Sequence, residues 1–286
     1  MEKEIRFGPS GNSDLFYQQG NKSSLQAPAW LKNLGLNAYE YSFGKGYTMK
    51  SETAEKLGIE AEKNGVVVSV HAPYYINFAN ESEEMIQKSF GYVLTGLKLL
   101  KLMKGKHLVF HAASQGKLER EKAISLTEKR LKELVKIVKE AGFGEFKLCP
   151  ETMGKPLQIG TYKEIIDFCS LDEMFVPTFD FGHIYTLSLG NFGSEEDYEK
   201  VFKYSIEKLG FERTKNCHVH FSQIEYGAKG EVKHLNFNNN EFGPDYVPFL
   251  KVVKKLGLTP TIICESKNNM ATDALLMKET YENINI

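Results

Sequence analysis

The chain reads as an α/β protein folded as a single-domain (β/α)8 TIM barrel, and three observations predict this. Short β-branched or aromatic runs alternate with longer segments of helical periodicity from end to end, the pattern of βα units around a parallel sheet. Eight such units fit in 286 residues, close to the roughly 250 typical of this barrel. No GxGxxG follows any of the strands, so the usual mark of a doubly wound open sheet is missing.

The first strand is expected at 4–8 and is followed by a weak helix around 26–33. The second, at 38–42, precedes the amphipathic helix 50–64, and the third, at 66–71, precedes helix 82–104. The fourth, at 107–111, leads to helix 119–140, where Leu126, Leu131, Leu134, Val135 and Ile137 oppose a Lys/Glu-rich side. Strands at 145–151, 174–180, 216–221 and 259–265 pair with helices near 161–169, 195–208, 244–256 and 270–283. The longest irregular stretch is 226–245, with Asn236, Asn238, Asn239 and Asn240; in a barrel it follows the seventh strand on the catalytic rim. No linker, repeat or low-complexity tract divides the chain, so 1–286 is read as one domain.

Composition narrows the function classes. With 42% apolar and 26% charged residues and a net charge of -1, the chain has no global basic field, so a nucleic-acid reader would need a local patch. Cys149, Cys169, Cys217 and Cys264 lack CxxC spacing, and Cys149 and Cys264 sit inside apolar runs. They are read as buried reduced thiols, which favours a cytoplasmic protein. The opening MEKEIRFGPSG lacks a signal pattern, and no apolar run nears the ~20 residues that span a bilayer. A monomer without a membrane partner is expected.

The chemistry is carried by histidines at strand ends. His71, His111 and His183 end or follow apolar runs, His218 and His220 lie in CHVHF, and His234 lies in the loop behind. Glu151, Asp180 and Glu265 occupy the same kind of position. Mixed imidazole and carboxylate donors suit zinc or manganese better than calcium. Barrel active sites are built from C-terminal strand ends, and His71, His111, Glu151, Asp180, His218 and Glu265 come one each from strands three to eight.

Each residue has a plainer reading: His71 as a core histidine bonded to a carbonyl, Glu151 as a helix cap, Glu231 and His234 as a solvated loop pair. His111 on the next strand lets two imidazoles reach one cation. Glu151, mid-order between that pair and Asp180, can bridge two ions, as two-metal hydrolysis requires. Asp180 and His183, three apart across a turn, face different ions. His218 and His220 share one strand face by period-two alternation; the second is either a ligand or a donor behind the ligands. Tyr74 and Tyr75 are tandem aromatics at a loop tip, either a contact surface or a roof over the barrel.

In HAPYYIN, VFHAAS, CPET, FDFGH, CHVHFS and ICES, taken in order over nearly the whole chain, the sequence resembles the endonuclease IV family of apurinic/apyrimidinic endonucleases, within the xylose-isomerase-like barrel superfamily. The resemblance implies up to three Zn2+ ions, with Mn2+ as the alternative. His71, His111 and Glu151 would hold the first; Glu151, Asp180, His218 and Glu265 the second; His183 and His234 the third. There the family has Asp-x-His, whereas this chain has Glu231-Val-Lys-His234. The implied activity is cleavage of double-stranded DNA 5′ to an abasic site, leaving a 3′-hydroxyl, with Glu151 as the catalytic residue that orients the nucleophile. Tyr74 and Tyr75 match one DNA-penetrating element, and Lys45 and Tyr47 in SFGKGY stand where the other lies.

Two other readings compete. A sugar isomerase or epimerase of the same superfamily would use a single divalent ion on Glu151, Asp180, His218 and Glu265. Near-neutral charge favours it, and the histidines at 71, 111, 183 and 234 oppose it. The third is a binding protein that kept the barrel and lost turnover.

Overall fold

The structure, a computed structural model, describes residues 4–239 and 241–285, so Asn240 lies outside the described residues. Its barrel strands are β1 (Arg6–Pro9), β2 (Ala38–Ser42), β3 (Val67–His71), β4 (His107–Phe110), β5 (Lys147–Pro150), β6 (Thr178–Asp180), β7 (His218–Phe221) and β8 (Thr261–Cys264). They form two four-stranded parallel sheets, in the orders β1-β8-β7-β6 and β2-β3-β4-β5. Bridges Ser10↔Glu40 on one side and Leu148↔Phe175 and Glu151↔Thr178 on the other join the sheets into a closed (β/α)8 barrel. The first seam needs a glycine: a Cβ at Gly8 would lie 1.8 Å from the Ala38 carbonyl oxygen.

The helices between the strands follow the sequence periodicity. Helix Ser51–Asn64 stops at Gly65, whose φ of 69° is the left-handed cap that glycine adopts without penalty. Helix Arg120–Glu140 buries Ala123, Thr127, Leu131, Leu134, Val135 and Val138, with Leu126 and Ile137 on the shoulders of that face. Capping boxes at Thr161 and Ser194 start Tyr162–Cys169 and Glu195–Leu209. Phe181, Tyr198, Phe202, Phe221 and Phe249 interlock between sheet and helices. Each such ring removed from water contributes roughly 1.5–3 kcal/mol. All four cysteines are free and buried. Among the described residues no helix is long and apolar enough to cross a membrane.

Three local features differ from the sequence reading. The stretch taken as irregular after β7 opens with an antiparallel hairpin, Ile224–Gly227 against Gly230–His234. A second small pair, Ala113–Ser114 with Gln158–Ile159, lies beyond β4 and β5. Instead of a turn, a helix (Phe181–Leu187) starts directly after β6, because the Asp180 carboxylate caps it by accepting the His183 backbone N–H at 2.7 Å.

The barrel interior is partly polar. Period-two alternation turns Glu40, Ser69 and His218 inward, all buried, and Val109, Cys149 and Val176 form a small apolar group of their own. This polar column leads up to the C-terminal mouth.

Candidate metal centre

At that mouth the structure gathers three donor groups. In the first, the Nδ1–H of His71 donates to the Ala72 carbonyl at 2.7 Å, which leaves Nε2 facing Glu151 Oε2 at 3.0 Å. His111 Nε2 lies 3.1 Å from the same oxygen. In the second, the other Glu151 oxygen, Oε1, is 3.0 Å from His220 Nδ1, which is also 3.5 Å from Glu265 Oε2; Asp180 completes this set. In the third, Glu231 stands between His183 Nε2 at 3.6 Å and His234 Nε2 at 3.7 Å. Thr152 O accepts the Nδ1–H of His183 at 2.8 Å, and Ser222 Oγ bonds His234 Nδ1 at 2.8 Å, so both rings present Nε2 to the site. Within each group the donor atoms lie within 4.8 Å of one another.

These side chains fit divalent cations. A carbonyl only accepts, so the Nδ1 atoms of His71 and His183 carry a proton and their Nε2 atoms are turned toward carboxylate oxygens. Such contacts call for positive charge, supplied by protonation of the rings or by a cation that displaces the Nε2 proton. The 3.0 and 3.1 Å donor separations in the first group agree with the roughly 2.9–3.4 Å expected between ligands bound at about 2.0–2.1 Å. Asp180 Oδ2 is buried without a hydrogen-bond partner among the described residues. A buried carboxylate oxygen in that position is costly unless a cation meets it.

Burial, crowded carboxylates and nearby imidazoles set the protonation balance of the mouth. Burial opposes ionisation of Glu151, yet His220 and His111 hold its carboxyl well below the usual range. Burial pushes Asp180 up to about 6; His183 counters this while Glu151 and Glu265 add to it. Burial would depress His183, but Asp180, Glu151 and Glu231 lift it to about 9. Desolvation keeps His111 below its ordinary value despite Glu151.

The expected site residues divide as follows. His71, His111, Glu151, Asp180, Glu265, His183, Glu231 and His234 all meet at the mouth. His218 does not belong to this set. It lies one inward layer deeper, with Nε2 2.9 Å from Glu40 Oε2, and His220 takes the place assigned to it beside Glu151, Asp180 and Glu265. Both face inward, as alternation requires, but a two-residue step moves a side chain roughly 6.6 Å along the strand, one layer of the barrel.

Tyr74 and Tyr75 are exposed by 58% and 53%; Tyr74 stacks on His111 with centroids 5.1 Å apart, and Tyr75 leans on Tyr92. Lys45 is exposed in the loop after β2. Tyr47 is not a surface contact, since its buried hydroxyl packs where a Cβ on Gly96 would come within 2.4 Å. Glu40 carries no motif, and its one mark in the sequence is a carboxylate inside an otherwise apolar and aromatic strand.

A closed barrel with imidazole and carboxylate donors collected on its C-terminal rim is consistent with a metal-dependent enzyme class. Residues 28–282 match the family described as xylose isomerase-like TIM barrel, and the chain belongs to that family. An uncharacterized protein of Methanocaldococcus jannaschii is 33% identical over 254 residues, 89% of this chain and 90% of that protein. A probable endonuclease 4 of Latilactobacillus sakei is 24% identical over 271 residues, 88% of this chain and 87% of the relative. In the solved D-psicose 3-epimerase of Clostridium cellulolyticum H10 the fold recurs with a TM-score of 0.64 at 12% identity, covering 92% of this chain and 91% of that one.

Proposed function

We propose that this protein is a metal-dependent phosphodiesterase that cleaves double-stranded DNA 5′ to abasic sites and leaves a 3′-hydroxyl. One observation carries the reading: the two oxygens of Glu151 face two separate donor groups, and a third group adjoins them. A one-ion isomerase has no use for the first and third groups. Bound divalent cations would neutralise the phosphate and lower the pKa of an attacking water toward about 7. Glu151 orients the attacking group from beneath, and the backing hydrogen bonds at Ala72, Thr152 and Ser222 fix the imidazoles against rotation.

The surroundings support a phosphate-rich partner. Lys45, Lys117, Lys155, Lys229 and Lys267 are exposed in loops that follow β2, β4, β5, β7 and β8, cations placed to meet phosphates although Glu81, Glu119 and Glu241 are exposed in loops on the same side. Tyr74 and Tyr75 offer exposed rings for stacking where a base is missing. Incubation of metal-loaded protein with a duplex containing one abasic site tests the reading. Nicking 5′ to the lesion is expected, and an inert fully loaded protein refutes it.

The group Glu151, Asp180, His220 and Glu265 favours a second reading, sugar epimerisation on one ion, because two glutamates can flank a small polyol there. Metal content separates the two. About three ions per chain are expected for the phosphodiesterase and one for the epimerase.

A further inference from the structure

Directly beneath the mouth, the buried side of His220 meets Glu40. Its Nε2 lies 2.9 Å from Glu40 Oε1, a buried ion-pair contact bent away from hydrogen-bond geometry, and neither atom has a hydrogen-bond partner among the described residues. The other Glu40 oxygen, Oε2, accepts Ser69 Oγ–H at 2.7 Å and faces His218 Nε2 at 2.9 Å. His218 in turn has Nδ1 3.3 Å from His107 Nδ1. Glu40, His218 and His220 are all fully buried.

We infer that Glu40 is a positioning residue for the metal centre: its buried carboxylate, 2.9 Å from His220 Nε2, draws the ring proton to that nitrogen, so that Nδ1 is presented to the group formed with Glu151, Asp180 and Glu265. An imidazole has two nitrogens, and the bond made by one decides what the other does. With Nε2 protonated toward an anion, Nδ1 keeps a lone pair and becomes a stronger donor to a cation. Ser69 and His218 fix the carboxylate, so the ring is braced through two layers of the barrel.

The same atoms could be read as a fourth cation site, but the chemistry disfavours it. His220 would have to lose both ring protons to serve cations on two sides, and Glu40 Oε2 is already committed to Ser69 and His218. The inference rests on His220 being a ligand, as proposed above.

Metal-free protein is titrated with Zn2+ against a chromophoric chelator, and with Co2+ followed by visible absorption, for wild type, Glu40→Gln and Ser69→Ala. In Glu40→Gln one of the bound ions is expected to weaken about 10–100-fold with its Co2+ spectrum changed, while the number bound at saturation stays as in wild type. Ser69→Ala leaves the charge in place and should weaken the same ion by about five-fold. It also serves if the first variant fails to fold. Unchanged affinity in both variants overturns the inference, and so does the loss of one bound ion at saturation in Glu40→Gln, which would make Glu40 itself a ligand. Wild type that binds no metal at all would instead sink the reading of the centre.

Discussion

Replacing Glu151 by Gln keeps the shape of the side chain and removes its charge. The structure allows the effect to be worked out, because the carboxylate serves two groups at once, with Oε2 at 3.0 and 3.1 Å from His71 and His111 and Oε1 at 3.0 Å from His220. Residues that merely back a metal ligand are worth about 10–100-fold in affinity. An anionic ligand itself should therefore be worth at least about 100-fold in each group, or roughly 5.5 kcal/mol over both at 1.4 kcal/mol per factor of ten. At micromolar metal the variant should hold about one ion, in the His183, Glu231 and His234 group, in place of about three. Cleavage of an abasic duplex should fall by at least about 1,000-fold, near 4 kcal/mol of barrel-mouth stabilisation of the transition state. Elemental analysis after gel filtration and single-turnover nicking measure the two quantities. In the presence of chelator the variant should melt below wild type, since the charge it removes is the one His220 and His111 stabilise in the folded state. A variant that keeps the full metal complement and nicks within ten-fold of wild type would refute the bridging role.

The other predictions concern single groups. A Cβ at Gly154 would come within 2.8 Å of His183 Cδ2 and 3.0 Å of the Glu231 Cβ, so Gly154→Ala should cost only the third ion; metal analysis showing all ions retained with unchanged affinity would contradict this. His220→Asn should empty the group it shares with Asp180 and Glu265, whereas His218→Asn should keep the metal count and lose about 1–3 kcal/mol of stability in chemical denaturation, because Glu40 loses a partner. Equal metal loss in both would restore His218 as a ligand. Tyr74→Ala and Tyr75→Ala should weaken binding of damaged duplex about ten-fold while hydrolysis of a small phosphodiester changes less than two-fold, within the ~1–3 kcal/mol typical of one stacked base. Parallel losses on both substrates would mean packing damage through His111 or Tyr92.

Much of this was legible before any coordinates. The βα alternation set the barrel and its strand order, because the period of apolar residues changes sharply between strand and helix in this chain. The position of a donor just past an apolar run also sufficed to place His71, His111, Glu151 and Glu265 at one rim. What remained hidden was depth. His218 and His220 have the same alternation and the same neighbours in sequence, and only the stagger of β7 against β6 and β8 decides which one reaches the mouth. Glu40 was invisible for a related reason: its partners are 29 and 178 positions away, so no local pattern could reveal them. Tyr47 read as a surface ring because its burial depends on a small residue, Gly96, on a helix distant in sequence.

Asp180 ties two jobs to one carboxylate: Oδ1 starts the helix that carries His183, and Oδ2 is left for the mouth. Mutational drift at this position is therefore doubly punished. Asp180→Asn would keep an oxygen to cap the helix and lose the charge at the mouth, so the amide separates the two services.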